Sequence, residues 1–151
     1  MNKREIVQTL LDYIQKGDFD HARSLLADDF QFSGPIPKPI NAEEWLVMSA
    51  NLRTAFPDLN YNFKVIGEDE GNIVRLTSQL QGTHRGSFDL TNMELGVIPP
   101  TNKTVHLEGE ETRVTLRDNK IVAWAVEPTE GAGVMALLRE LGVEVPTTEP
   151  A

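Results

Sequence analysis

The sequence predicts an α+β domain in which helices pack on one face of a strongly curved antiparallel sheet and a last helix closes the chain. Apolar residues recur at three- and four-residue intervals as far as Phe56, alternate through the strands that follow, and return to helical spacing between Gly133 and Leu141. Because the two periodicities are segregated, a βαβ arrangement is disfavoured and helices on one sheet face are expected. A length of 151 residues suits one domain with a core of its own.

The elements follow in order. Ile6, Val7, Leu10, Leu11 and Ile14 form one helical stripe, and Gly17 stops it. Asp18 caps a second, short helix that runs from His21 to Ala27. Phe30-Gln31-Phe32 alternates like a strand and ends in a loop, residues 33–39, that three prolines keep extended. Asn41 and Glu44 are spaced as a capping box, opening a third helix with Trp45, Met48, Leu52 and Phe56 on its inner stripe. Pro57 ends that helix. Strands are expected over Leu59–Ile66, Ile73–Thr83, Thr104–Arg117 and Lys120–Glu127, with a long loop from Asp89 to Lys103. The domain is expected to span residues 1–144, with 145–151 as a flexible Pro/Thr-rich tail.

Charge and composition remove several function classes. Fourteen Lys and Arg stand against 23 Asp and Glu, a net charge of −9, which repels nucleic-acid backbones and anionic membranes. There is no cysteine, hence no disulfide, thiol nucleophile or Cys-ligated metal. The three histidines, His21, His84 and His106, lie far apart with no metal-ligand spacing, so no metal is expected. No apolar leader or membrane span is evident, and a cytoplasmic location is expected.

Particular words point further. They are Gly17-Asp-Phe-Asp20 followed by Leu26-Ala-Asp-Asp-Phe30, then Ala55-Phe-Pro-Asp-Leu59 and Gly82-Thr-His-Arg-Gly-Ser-Phe88. Pro99-Pro-Thr-Asn-Lys103, Asp118-Asn-Lys-Ile-Val122 and Leu137-Leu-Arg-Glu-Leu-Gly142 complete the series. In this order the chain resembles the NTF2-like superfamily, in its SnoaL-like polyketide cyclase or ester cyclase branch. The resemblance implies a cone whose open end is an apolar, ligand-sized pocket, and chemistry without metal or organic cofactor. In such cyclases a carboxylate removes a proton from an acidic carbon, and the enolate attacks a nearby carbonyl. The acid/base aspartate would fall at Val126, a neighbouring histidine at Thr112 and a pocket glutamine at Glu110. Valine cannot move a proton. The ketosteroid-isomerase pattern does not fit either, since its base would fall near Ser33 or Gly34 and Tyr13 lies a turn too far along.

Three groups are candidates for the missing acid/base. Glu110 shares parity with Thr112, Val114 and Leu116, so it is either a half-buried general base or part of a solvated strand end. Glu127 either points out or is rotated inward by Pro128. His84 is either a proton carrier on the inner face or a loop anchor. Trp45, Met48, Leu52, Phe56, Thr112, Trp124 and Val126 are expected to contact a small apolar ligand. Two functions remain: a cofactor-independent cyclase, isomerase or lyase, and a non-catalytic binder of an apolar metabolite. Ile121, Ala123 and Ala125 make the last strand apolar on both faces, which suggests a homodimer through the outer sheet face.

Overall fold

The computed structural model describes residues 2–34, 38–91, 96–127, 129 and 133–142. Helix α1 (Lys3–Lys16) starts at a capping box: the Asn2 side chain accepts from the Glu5 N–H, and Glu5 accepts from the Asn2 N–H. Gly17, at φ 80°, ends it in the left-handed conformation that costs glycine least. Helix α2 (Phe19–Ser24) begins at Asp18, as expected, but stops before Ala27. Leu26 and Ala27 instead open strand β1 (Leu26–Ser33). Leu26 is in register with Ile121, and the Ile121 N–H donates to the Leu25 carbonyl at 2.9 Å. Pairing across the sheet outweighs a weak local preference for helix. A short strand β2 (Ile40–Asn41) leads into helix α3 (Ala42–Ala55), which has the expected Asn41–Glu44 capping box.

The strand region is more broken than its alternation suggests. Strand β3 covers Lys64–Asp69, so the stretch from Leu59 is not its beginning. Asn62 sits at φ 50° with its N–H on the Asn60 side chain, and the Tyr61 N–H is taken by Gln15 Oε1 at 3.0 Å. The local Asn60 bond and the distant Gln15 thus take N–H groups a longer strand would use, and only an isolated bridge between Asn60 and Gln81 continues the pairing among the described residues. Strand β4 (Ile73–Ser78) ends before β5 (Gln81–Thr83), which pairs in a separate ladder with β8 (Thr104–His106). Within the stretch read as a loop, β6 (Phe88–Asp89) pairs with β7 (Val97–Ile98). Strand β9 (Glu110–Arg117) turns at Asp118-Asn119, both at positive φ, into β10 (Lys120–Val126). Helix α4 spans Gly133–Glu140.

The main sheet has the order β2-β1-β10-β9-β4-β3. Every pairing in it is antiparallel except β1–β10, which is parallel, so the expected antiparallel sheet carries one parallel seam. Its concave face meets α1 and α3 in a first core, where Val74, Leu76, Val114 and Ile121 are fully buried. A bulge between Ile121 and Ala123 sends Ile121 into this core, so the outer face keeps only Ala123 and Ala125 of the three residues expected there. The C-terminal end of α3, the two small ladders and α4 enclose a second core around Phe56, Phe88, Leu90 and Leu137.

Residues 84–86 close the end of α3. The Arg85 and Gly86 N–H groups both donate to the Ala55 carbonyl at 3.0 Å. A Cβ on Gly86 would stand 2.2 Å from the Thr54 carbonyl oxygen, a backbone atom that cannot yield. Gly86→Ala should therefore destabilise the fold by about 2 kcal/mol or more in urea titration, as a strained backbone contact does.

Candidate functional site

Between the two cores, where α3 crosses the concave face, a cavity of about 80 Å³ remains. Helix α3 supplies Trp45, Met48, Ser49 and Leu52 to its wall, the four positions that one helical face presents at this spacing. Phe32 of β1 and Trp124 and Val126 of β10 line the opposite side, and Tyr61 and Phe63 form another wall. The rings pack on one another: Trp45 and Trp124 have centroids 5.0 Å apart, and Tyr61 stacks on Phe63 at 4.7 Å. Burial pushes the Tyr61 hydroxyl far above the usual phenol range, so it stays neutral.

One acidic group enters this apolar space. Glu110 is the first residue of β9, in register with Ser78 of β4, and both side chains line the cavity. Its Oε2 is buried and has no hydrogen-bond partner among the described residues. Loss of hydration penalises the carboxylate, so burial raises the Glu110 pKa to about 7. The alternation read from sequence places Glu110 inward, and the half-buried alternative holds rather than the solvated strand end.

The other two acid/base candidates lie elsewhere. Glu127 is exposed, and its backbone N–H continues the ladder to the Glu111 carbonyl at 2.9 Å, so strand geometry turns the side chain out. Pro128 lies outside the described residues. His84 is fully buried in the second core and does not line the cavity. Its ring stacks on Phe56 at 5.2 Å, and its Nδ1 accepts from the Thr101 N–H at 3.2 Å. Burial lowers its pKa, and the neutral ring anchors the segment at Thr101. Phe56, expected in the cavity wall, is committed to that same packing because the helix ends at Ala55 and its side chain leaves the inner stripe. Thr112 points inward but does not reach the cavity: only 1% exposed, it is flanked in register by Leu76 and Val126.

The expected wall residues Trp45, Met48, Leu52, Trp124 and Val126 all line the cavity. Sequence reasoning did not single out Tyr61, Phe63, Phe32, Ser49 or Ser78. The signal was present, since Tyr61 and Phe63 share strand parity and Ser49 lies four residues from Trp45. A wider surface groove of about 680 Å³ runs past Arg23, Arg117 and Lys120. Its cations are already engaged: Arg23 with Glu43 at 2.5 Å, Arg117 with Asp29 at 2.7 Å, and Lys120 with the Ser24 carbonyl. Among the described residues no cluster of His, Asp and Glu could hold a metal, and no helix is long and apolar enough to cross a membrane.

The sequence profile of the SnoaL-like polyketide cyclases matches residues 4–130. The chain belongs to this SnoaL-like polyketide cyclase family. Solved structures agree on the fold. A candidate SnoaL-like polyketide cyclase from Jannaschia sp. CCS1 is 21% identical over 94% of either chain, with a TM-score of 0.66. IdmH, a candidate polyketide cyclase from Streptomyces antibioticus, is 22% identical over 95% of this chain and 100% of its own, at 0.70. AclR from Streptomyces galilaeus, a candidate hydroxylase, is 19% identical over 96% of this chain and 85% of its own, at 0.69. The chain shares the NTF2-like fold with these structures. Among curated proteins none matches the chain. In this SnoaL-like chain the cavity holds a valine at 126 and a carboxyl group at 110, one strand over.

The displaced Glu110 pKa has a consequence for stability with a definite sign. A carboxyl group held above its ordinary value binds more protons folded than unfolded, so stability falls as pH rises from about 4.5 to about 7, then levels. Glu110→Gln removes this slope. The unfolding free energy of wild type relative to the variant should drop by up to ~3 kcal/mol across that window in urea titrations. An unchanging difference would mean an ordinary, hydrated carboxylate.

Proposed function

We propose that this SnoaL-like chain is a cofactor-independent cyclase, isomerase or lyase in which Glu110 moves the proton of a small apolar carbonyl substrate. The observation that carries the reading is a half-buried carboxyl group without a partner, in an apolar cavity, with a pKa of about 7. A base is most effective when its pKa lies near the working pH, because it is then both available and strong enough. In a ring closure, Glu110 takes a proton from the carbon beside one carbonyl, and the resulting enolate carbon bonds to a second carbonyl carbon. The new alkoxide then takes the proton back from Glu110, so the product is an isomer of the substrate. The aromatic walls hold the reacting carbons together and keep water away. The cavity is small beside typical ligand sites of roughly 300–1,000 Å³, which favours a compact substrate or the reacting head of a longer one.

Binding of an apolar metabolite without reaction is the second reading, favoured by Val126 at the position where the resemblance puts the acid/base aspartate. The two separate on one substitution. With a short aryl 1,3-diketone as probe, wild type should speed exchange of solvent deuterium into the acidic carbon. Glu110→Gln should lower that rate ~10²–10⁴-fold and leave affinity within about tenfold. Probe bound but not exchanged by wild type would favour the binder.

The reading includes a homodimer through the outer sheet face, where Val122, Ala123 and Ala125 are half-buried. Arg113 and Glu111 alternate in charge along the same strand, which suits a self-complementary two-fold contact. Light scattering should give twice the chain mass at micromolar concentration, and a monomer would count against this interface.

A further inference from the structure

We propose that the cavity is also a receptor for a small organic cation, a protonated amine or quaternary ammonium group, with Glu110 as its counter-ion and the surrounding rings as its wall. This rests on the cavity being the ligand site but not on proton abstraction by Glu110.

Three features of the lining select charge in the same direction. Phe32, Trp45, Tyr61, Phe63 and Trp124 surround the space with aromatic rings, whose negative faces attract a cation and gain most when water is excluded. Glu110 offers an oxygen that is buried and unpartnered among the described residues. Among the described residues no Lys, Arg or His side chain lines the cavity. An anion would meet like charge there, whereas a neutral ligand is accommodated with Glu110 protonated and gains nothing from its charge. A cation satisfies the carboxylate and the rings together. The net charge of −9 draws cations toward the protein before they reach the site.

Among the described residues, Glu110 is the one group lining the cavity that is able to titrate in this way. Helices α1 and α3 and strands β1, β4 and β10 bring no charged side chain to the cavity. Tyr61 is held neutral by burial. Glu111, next along β9, lies on the opposite face beside Arg75, 3.4 Å from its guanidinium. Arg53 is tied to the Gln15 carbonyl at 2.6 Å rather than to Glu110. Binding of a cation therefore ionises Glu110 and releases its proton when the pH is below about 7.

The test compares tetramethylammonium with tert-butanol, a neutral probe of similar shape, by calorimetry on the intact protein at several pH values. Tetramethylammonium affinity should rise about tenfold per pH unit below the Glu110 pKa and level above it. The tert-butanol affinity should not rise with pH. At high pH Glu110→Gln should weaken tetramethylammonium at least tenfold while tert-butanol stays within threefold. Phe63→Leu, which keeps the carboxyl group, should weaken the cation more than the alcohol and so gives a second variant should Glu110→Gln not fold. Equal binding of both probes at high pH, a cation affinity indifferent to pH, or one untouched by Glu110→Gln would overturn the cation site. If tert-butanol alone bound, the cation site would fall and the proposed substrate cavity would stand. If neither probe bound, the cation site would fall, and the diketone exchange assay would still decide the proposed function on its own.

Discussion

The contact between Trp45 on α3 and Trp124 on β10, with ring centroids 5.0 Å apart, sets the distance between helix and sheet. Two indoles meeting across a concave face cannot collapse as aliphatic side chains would, because flat rings neither interdigitate nor shorten. Phe30 and Phe32 from β1 pack on the same Trp45, at 5.1 and 5.9 Å, so the helix is propped against two neighbouring strands. The cavity is the space that remains where this prop ends and the second core begins. Its position, its apolar lining and its narrowness follow from ring packing.

The raised pKa of Glu110 follows from burial in that apolar lining. A carboxyl group at a strand end would keep its ordinary acidity in water, and desolvation alone lifts it to about 7. No ion pair contributes to the shift, in contrast to Asp29, whose carboxylate is held low by Arg117 at 2.7 Å. At the surface Asp29, Glu43 and Glu111 each pair with an arginine. In the cavity one carboxyl group is left unpaired among the described residues, and an uncompensated polar group in a preformed apolar site is a common mark of function rather than of stability.

The words that carried the family resemblance turn out to serve the scaffold as much as the site. In Gly82-Thr-His-Arg-Gly86, Gly86 lets the chain approach Thr54, Arg85 and Gly86 cap α3, and His84 pins Thr101. A histidine beside a glycine looks like a proton carrier in sequence. Packed against Phe56 and anchored by a backbone N–H, it is a neutral strut. The cavity is lined instead by residues outside those words, Glu110 among them.

Local sequence by itself determined whatever depends on neighbours along the chain. The capping boxes at Asn2 and Asn41, the stop at Gly17, the Asp118-Asn119 turn, the inner stripe of α3 and the inward parity of Glu110 were all legible, because each rests on contacts within a few residues. Tertiary structure decided what depends on distant partners. Leu26 joined a strand instead of a helix because Ile121 was there to pair with it, in the parallel direction that alternation cannot reveal. Leu59–Phe63 keeps only an isolated bridge at Asn60 instead of a regular strand, with Gln15 on the Tyr61 N–H, and Tyr61 and Phe63 line the cavity wall. Parity ranked Glu110 ahead of Glu127 and His84 without excluding either. Their exclusion from the cavity required the sheet's ladder and the second core, since burial is a property of the packed chain and not of the sequence around a residue.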